Sequence, residues 1–246
     1  MTDTIERAAT LLRDAERVVV VTGAGVSAES GLPTFRTGTD QLWGGENLER
    51  YGNPRGFRTH AADAWAWYEA RRDRAMTAMP NAAHHAIVEI ERRVPRFHLV
   101  TQNIDGLHSR AGSIGLLEIH GTLARARCFD CNQVSEWPAQ NVTRPPHCGE
   151  CGGLLRPDVV LFEEPLDTEL LEEAFAAAAW CDVLLSVGTS HVVQPAASLV
   201  IDRARRGQPV IVVNPELEGL DERDVLFLDG RAGEILPELV SAAWTK

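Results

Sequence analysis

The chain has 246 residues, of which 44% are hydrophobic and 24% are charged, with 20 glycines and 13 prolines. This composition is typical of one large folded domain, alone or with a small companion, and it excludes a fibrous, disordered or disulfide-dense chain. The 35 acidic and 24 basic side chains leave a formal charge of −11, which disfavours nucleic acid as a partner and favours cationic partners.

The apolar segments of the chain are short. None approaches the roughly 20 residues that a membrane span needs, and the first dozen residues lack a basic segment followed by an apolar signal core. We therefore expect a cytoplasmic protein that does not enter a membrane.

Short apolar runs rich in valine predict buried parallel strands. They are Val18–Val21, Phe97–Thr101, Val183–Val187, Val210–Val213 and Val225–Leu228. Apolar side chains at helical spacing accompany most of these runs. The clearest helical segments are Ile5–Leu12, Leu170–Trp180, Pro195–Arg206 and Gly233–Ala243. The alternation predicts an α/β fold with a Rossmann-like, doubly wound parallel sheet.

A glycine-rich motif follows the first predicted strand. Gly23, Gly25 and Ala28 fit the pattern G-x-G-x-x-A, which lets backbone N–H groups approach a pyrophosphate. The acidic residue that usually follows about 20 residues later is missing, and the residues near position 45 read as a loop. Taken alone, the motif is a weak signal, and a merely tight turn between strand and helix is the alternative.

Two stretches interrupt the α/β rhythm, from about Thr37 to Pro80 and from about Leu123 to Arg156. We interpret them as insertions that form a smaller module. The predicted Rossmann-like domain is then discontinuous, covering residues 1–36, 81–122 and 157–246. Residues 37–80 form a helical insertion, and residues 123–156 form a zinc-ribbon insertion.

Four of the five cysteines have the spacing of a zinc site. Cys128 and Cys131 form one C-x-x-C pair, and Cys148 and Cys151 form a second. Four thiolates close a tetrahedral shell and leave no position for catalysis, so we expect one structural Zn²⁺. Two disulfides are the alternative, but they require an oxidising compartment. Cys181 is expected to be a small buried hydrophobe without a functional role.

Polar residues follow three of the predicted strands, in the segments Thr101–Asp105, Gly188–Ser190 and Asn214–Glu216. In doubly wound sheets, ligands bind at these carboxyl ends of the strands. The sequence therefore predicts a ligand crevice along this edge.

Long motifs in series resemble the sirtuins, which are NAD-dependent protein-lysine deacylases. The resemblance rests on Gly23–Arg36, Thr101–His108, Ile119–Gly121, Gly188–Ser190 and Asn214, together with the four cysteines, and it spans nearly the whole chain. It implies a Rossmann-like domain and a small zinc-and-helix module, with NAD and an extended acyl-lysine peptide meeting between them. The implied partners are acyl-lysine proteins or peptides bound by a monomer, and not nucleic acid.

The resemblance also implies roles for individual residues. His120 matches the general base, although a histidine at such a place is often only structural, and it is grouped with Asn103 and Asp105 as catalytic residues. The cofactor would be bound by Gly23, Ala24, Gly25, Ser27, Phe35, Arg36, Gln102, Asn103, Ile104, Asp105, Gly188, Thr189, Ser190, Asn214 and Ala232. The substrate would be bound by Tyr68, Arg71, Val159, Phe162 and Val193. Phe35 is equally compatible with a place in the core.

In the implied reaction, the acyl-lysine amide oxygen attacks the ribose carbon that nicotinamide leaves. His120 then activates a ribose hydroxyl, and the acyl group ends on ADP-ribose, so NAD is consumed. Two alternatives stay open: transfer of ADP-ribose to protein, and a zinc-ribbon interaction module without enzymatic activity.

The pair Tyr68 and Arg71 resembles the Tyr-x-x-Arg of the sirtuin class that reads acidic acyl groups. On a helix, positions three apart project together and can grip one carboxylate, which favours succinyl- or malonyl-lysine beside acetyl-lysine. A solvated helix face is the alternative. Gly56 stands where that class carries a small residue that keeps the acyl channel roomy, although a simple turn would also explain it.

One departure from the family lies in the predicted substrate strand, Asp158–Glu164. Glu163 stands where the family usually has glycine, which puts the backbone geometry of peptide binding in doubt. Its carboxylate is expected to attract substrates rich in lysine and arginine.

Overall fold

A computed structural model describes residues 2–34, 46–139 and 143–244. Its helices are α1 (Thr2–Asp14), α2 (Glu46–Tyr51), α3 (Pro54–Thr59), α4 (Ala61–Thr77), α5 (Ala82–Arg93), α6 (Leu107–Ala111), α7 (Thr168–Trp180), α8 (Ala196–Arg205) and α9 (Ala232–Trp244). Its strands are β1 (Arg17–Thr22), β2 (Arg96–Thr101), β3 (Leu116–Glu118), β4 (Gly121–Cys128), β5 (Val134–Glu136), β6 (Leu155–Val159), β7 (Val183–Val187), β8 (Val210–Asn214) and β9 (Leu226–Asp229).

Six strands form a parallel sheet in the order β3-β2-β1-β7-β8-β9. Side chains of a strand alternate between its two faces, so Val18 and Val20 of β1 join one apolar cluster and Val19 and Val21 join another. Helices α1, α5 and α9 cover the first face, and α7 and α8 cover the second. The predicted α/β fold with a parallel sheet is confirmed.

The sequence analysis does not predict the short edge strand β3. It has three residues, and its register pairs Leu99 of β2 with Leu116. A three-residue strand carries too few alternating positions for its pattern to stand out. It is nevertheless important for the site, because it carries the chain from the sheet edge to His120.

Strands β4, β5 and β6 form a separate antiparallel sheet in the order β5-β4-β6. Its core is rich in aromatic side chains contributed by α3 and α4, including fully buried Phe57, Trp65 and Tyr68. Trp65 stacks on Trp137 with 4.6 Å between the ring centroids. This small sheet and its helices lie beside the carboxyl edge of the parallel sheet, where they form one wall of the cleft described below.

Cys181 is buried at the end of α7, where its thiol donates to the carbonyl of Ala178. It packs in the apolar cluster on the second face of the parallel sheet, as expected of a small hydrophobe. None of the helices that the structure describes combines the length and apolarity needed to span a bilayer.

Candidate active site

A cleft of about 930 Å³ runs along the carboxyl ends of the parallel strands. One wall comes from the turns after β1, β2, β7 and β8, and the facing wall comes from α4 and the segment after β6. The cleft gathers residues that lie far apart in the chain, and these include every predicted cofactor- or substrate-binding residue that the structure describes. They are Gly23, Ala24, Gly25, Ser27, Tyr68, Arg71, Gln102, Asn103, Ile104, Asp105, His120, Val159, Phe162, Gly188, Thr189, Ser190, Val193, Asn214 and Ala232. Phe35 and Arg36 lie outside the described residues.

The glycine motif presses against the turn after β7. The amide of Gly25 donates to the carbonyl of Gly188 at 2.8 Å, and a Cβ added at Gly25 would lie 2.7 Å from the Cα of Gly188. Gly188 has φ +61°, a conformation that favours glycine. The amide of Gly23 donates to Val187. These two motif amides therefore serve the close packing of two strand ends, whereas the sequence analysis expects the motif to let backbone N–H groups approach a pyrophosphate.

Asn103 and Asp105 belong to one hydrogen-bonded group with Ser27. The Ser27 hydroxyl donates to Asp105 Oδ2 at 2.7 Å, and Asn103 Nδ2 donates to Ser27 Oγ at 3.2 Å. The amide of Leu107 donates to Asp105 Oδ1. Burial raises the pKa of Asp105, and the donors from Leu107 and Ser27 oppose that shift. The group locks both side chains at the base of the cleft.

His120 lies where the chain passes from β3 to β4, at the cleft surface. Its Nδ1 is 3.0 Å from the carbonyl oxygen of Gln102. A carbonyl only accepts, so Nδ1 carries the proton and Nε2 keeps its lone pair. Burial lowers the pKa of His120, and the bond to Gln102 opposes that shift. The ring is therefore neutral near pH 7 and has the tautomer that a general base needs.

The facing wall carries Tyr68 and Arg71 on α4, so the predicted helix is present. The Tyr68 ring is buried, and its hydroxyl donates to the Tyr51 carbonyl at 3.3 Å. Burial raises the pKa of Tyr68 far above its ordinary value, so the phenol remains a donor. The Arg71 guanidinium lies over the Trp67 ring and donates to the Trp67 carbonyl. A phenol and a cation thus enter the cleft from adjacent turns of one helix.

The segment after β6 is a strand only as far as Val159, so the predicted strand through Glu164 is wrong in its second half. The amide of Glu164 donates to the Leu161 carbonyl, which closes a turn. Glu163, in this turn, has φ +74° and an exposed side chain. The turn brings Phe162 and Glu163 to the cleft rim.

Gly56 does not line the cleft, contrary to the expectation that it keeps an acyl channel open. It lies in α3, where an added Cβ would stand 2.0 Å from the carbonyl oxygen of Glu49 in α2. The absence of a side chain at this position lets two short helices approach closely.

Arg74 and Glu29 are among the cleft residues to which the sequence analysis gives no role. Arg74 enters the cleft three residues after Arg71 on the same helix, and Glu29 also lines the cleft. The Glu29 carboxylate accepts from the amide of Gly233 at the start of α9. Helical spacing from Tyr68 and Arg71 would have identified Arg74, whereas no local pattern joins Glu29 to a residue about 200 positions away.

The four predicted zinc ligands converge in the small sheet. Among the described residues, the sulfurs of Cys128, Cys131, Cys148 and Cys151 all lie within 4.8 Å of one another. Cys128 and Cys151 are 3.5 Å apart, and Cys131 and Cys148 are 3.8 Å apart. A disulfide needs about 2 Å, whereas thiolates around a tetrahedral zinc stand roughly 3.8 Å apart. The donor set fits one structural Zn²⁺ and excludes the two disulfides.

Known proteins match both the sequence and the structure. The Sir2 family pattern matches residues 23–195. NAD-dependent protein deacylase 1 of Pseudomonas aeruginosa is 44% identical over 243 residues, covering 95% of this chain and 97% of the relative. A solved Sir2 homologue in complex with NAD aligns with a TM-score of 0.87 and 41% identity, over 97% of this chain and 93% of that one. A solved Sir2 with a deacetylated p53 peptide and 3′-O-acetyl ADP-ribose aligns with a TM-score of 0.85 and 27% identity, over 96% and 97%.

Proposed function

The chain belongs to the Sir2 family and is an NAD-dependent protein deacylase, and we propose that it prefers lysines whose acyl group ends in a carboxylate, such as succinyl- or malonyl-lysine. Bound NAD supplies the ribose carbon that nicotinamide leaves and the hydroxyl that receives the acyl group. The observation that carries the acyl preference is the pair Tyr68 and Arg71 on the cleft wall.

We assign the general base to His120. The Gln102 carbonyl fixes the proton on Nδ1, and burial keeps the ring neutral, so Nε2 can accept a proton from a sugar hydroxyl. The reaction creates no need for a protein nucleophile, because the amide oxygen of the substrate attacks the ribose carbon. Catalysis depends on holding the reactants close, which can contribute roughly 7 to 11 kcal/mol.

We assign the orientation of the nicotinamide end to Asn103 and Asp105. Both are nearly buried and are held by Ser27, so their remaining polar atoms have fixed directions. Gln102 precedes Asn103 in the chain, and its side-chain amide donates to Thr189 Oγ1 at 3.1 Å in the turn after β7. Rigid polar groups of this kind position a sugar without reorganising during the reaction.

The acyl preference follows from charge and geometry. The Arg71 guanidinium carries a positive charge that suits a carboxylate, and the neutral Tyr68 phenol lies one helical turn away. Arg74 adds a second positive charge at the same end of the cleft. An acetyl group carries no carboxylate for these positive charges to attract.

The peptide would lie along the segment after β6, with Val159, Phe162 and Val193 as its apolar contacts. The expected substrates are acylated lysines in proteins rather than nucleic acids, in keeping with the formal charge of −11. The expected setting is the cytoplasm, with one chain sufficient for activity. Residues 37–80 and 123–156 form the proposed small module that faces the cofactor domain.

The test compares initial rates on acetyl, malonyl and succinyl versions of one peptide with NAD. In Arg71→Met, desuccinylation should fall about 10- to 100-fold more than deacetylation, because one charge-assisted hydrogen bond is worth about 1.5–3 kcal/mol. The matched control is Arg72→Met, which removes the same charge from the same helix. Arg72 lies over the Trp137 ring, outside the cleft.

Equal losses on the three peptides in Arg71→Met would contradict the proposed acyl preference. Mass spectrometry of the same reactions distinguishes the product. Loss of the acyl mass from the peptide marks deacylation, whereas gain of an ADP-ribose mass would mark transfer to protein.

A further inference from the structure

A buried histidine, His191, connects the turn after β7 with the loop after β8, and it does not itself line the cleft. Its Nδ1 lies 2.9 Å from the carbonyl oxygen of Glu218, and its Nε2 lies 2.8 Å from Ser186 Oγ. Ser186 is fully buried in β7, and Glu218 belongs to the loop after β8. The imidazole therefore bridges the interior of the sheet and a loop that lines the cleft.

The two partners define the tautomer of the ring. The Glu218 carbonyl can only accept, so Nδ1 carries the proton, and the Ser186 hydroxyl then donates to Nε2. Burial lowers the pKa of His191 to about 4, so the ring stays neutral at ordinary pH. Both ring nitrogens are satisfied, and the bridge has one hydrogen-bond arrangement.

The backbone around the bridge is also specialised. His191 has φ +55°, a left-handed conformation that is uncommon for a residue with a side chain. On the opposite side, Gly219 has φ +71°, and a Cβ added there would lie 3.4 Å from the Cβ and the carbonyl oxygen of His191. The loop thus closes directly onto the histidine. A strained residue persists only where surrounding contacts hold it in place.

The loop that His191 holds forms the cleft wall beyond β8. Asn214, Pro215, Glu216 and Glu218 all line the cleft, and Asn214 Nδ2 donates to the Glu216 carbonyl at 2.7 Å. His120 and Asn103 follow β3 and β2, whereas this loop follows β8, three strands from β2 in the sheet. The bridge is therefore remote from the proposed reacting groups.

We propose that His191 is a positioning residue for NAD, which fixes the wall after β8 through its Nδ1–H bond to Glu218. The inference rests on the proposed placement of NAD along the carboxyl ends of the strands. Binding contacts far from the reacting atoms stabilise the ground state and the transition state alike, so losing them raises KM and leaves kcat unchanged.

Three variants separate the two bonds of the ring. His191→Asn keeps a nitrogen at the δ position for Glu218, suits a positive φ, and loses the bond to Ser186. His191→Gln places its amide one carbon further out, where it can reach Ser186 but not Glu218. His191→Leu keeps a similar bulk and loses both bonds.

The measurements are kcat, the KM for NAD and the KM for an acetylated peptide. We expect the KM for NAD to rise about five- to tenfold in His191→Leu and His191→Gln, the loss of roughly one hydrogen bond, and less than about twofold in His191→Asn. The other two parameters should stay within about twofold. Gly219→Ala, which strains the loop from its other side, should also raise the KM for NAD.

Some outcomes would overturn the inference. One is an unchanged KM for NAD in His191→Leu and in Gly219→Ala. Another is a fall in kcat together with a rise in both KM values that His191→Asn does not rescue. That result would indicate general structural damage. If His191→Leu does not fold, the comparison of His191→Asn with His191→Gln still decides. Calorimetry of NAD with the unaltered protein and with Gly25→Ala tests the placement of NAD separately, because that placement fails if the two bind equally.

Discussion

The two sheets of this protein are stabilised by different means. The parallel sheet is covered on both faces by aliphatic side chains, which fill two large clusters between the strands and five helices. The small antiparallel sheet has a core of aromatic rings and four cysteines arranged for one metal ion. Burial of apolar surface can maintain the first sheet alone, whereas a short three-stranded sheet needs an additional cross-link.

The difference extends to the cleft between them. On the side of the parallel sheet, the residues are held by backbone bonds and by buried polar side chains such as Ser27 and Asp105. On the other side, long side chains such as Arg71 project from a helix that packs on the zinc-bearing sheet. The wall on the side of the parallel sheet is therefore rigid, and the wall that carries Arg71 depends on the integrity of the small sheet.

Removing zinc should have the largest effect. The double variant Cys128→Ser with Cys131→Ser should unfold the small sheet, because metal binding to such a site can contribute on the order of 10 kcal/mol to folding. Tryptophan fluorescence should report the loss of the stacked pair Trp65 and Trp137, while circular dichroism retains most of the signal of the parallel sheet. Cys181→Ala, which changes the cysteine outside the cluster, should keep the zinc.

Either of two results would contradict the contrast between the sheets. In the first, the double variant melts as the unaltered protein does. In the second, both sheets unfold together in one transition. Zinc content measured alongside the melting curve links the two observations.

Replacing the proposed base should have the next largest effect. In His120→Ala, kcat should fall about 10²- to 10⁴-fold, the usual contribution of a general base, with an unchanged melting temperature. The control is His98→Ala, since His98 is part of β2 but lies outside the cleft. A loss of kcat below about threefold in His120→Ala would rule out its role as the base.

The pH profile sharpens the same assignment. Burial lowers the pKa of His120 below the ordinary 6.5, so the ring loses its free lone pair only in more acidic solution. Activity should therefore stay level from neutral pH down to about pH 6.5 and fall below it. A fall that starts above neutral pH would identify a different group.

The smallest effect concerns the rim of the cleft. Glu163→Gly should stabilise the protein by about 1 kcal/mol, because a residue with a side chain at φ +74° carries a cost that glycine avoids. Asn132→Gly is the matched control, since Asn132 also has a positive φ but asparagine tolerates it well. Denaturant midpoints measure both, and an equal gain in the two variants would contradict the estimate.

The same Glu163→Gly variant tests the expected attraction of cationic peptides. Removing the exposed carboxylate should lower kcat/KM on a peptide with lysine or arginine beside the acyl-lysine, relative to a neutral peptide. The ratio should fall about two- to fivefold at low salt, as for an exposed charge pair. An unchanged ratio would show that Glu163 does not contribute to a preference for cationic peptides.

Much of the fold and of the cleft lining was accessible from the amino-acid sequence. Apolar runs located five of the six parallel strands, and the C-x-x-C spacing identified the four thiolates that the structure brings together. These patterns are local, since the period of a strand and the spacing of a metal knuckle are set by a few neighbouring residues. The strand ends then followed from topology, because parallel strands present their carboxyl ends at one edge.

Other features required the tertiary structure, because they depend on which distant backbones approach each other. Position 56 has no room for a side chain because α2 lies against α3, and position 25 has none because Gly188 lies against it. The tautomer of His120 depends on the carbonyl of Gln102, and the bridge through His191 joins two turns from different strands. Residue types and their spacing thus determined the kinds of groups at this site. Their directions and proton positions were decided by contacts between segments that only folding brings together.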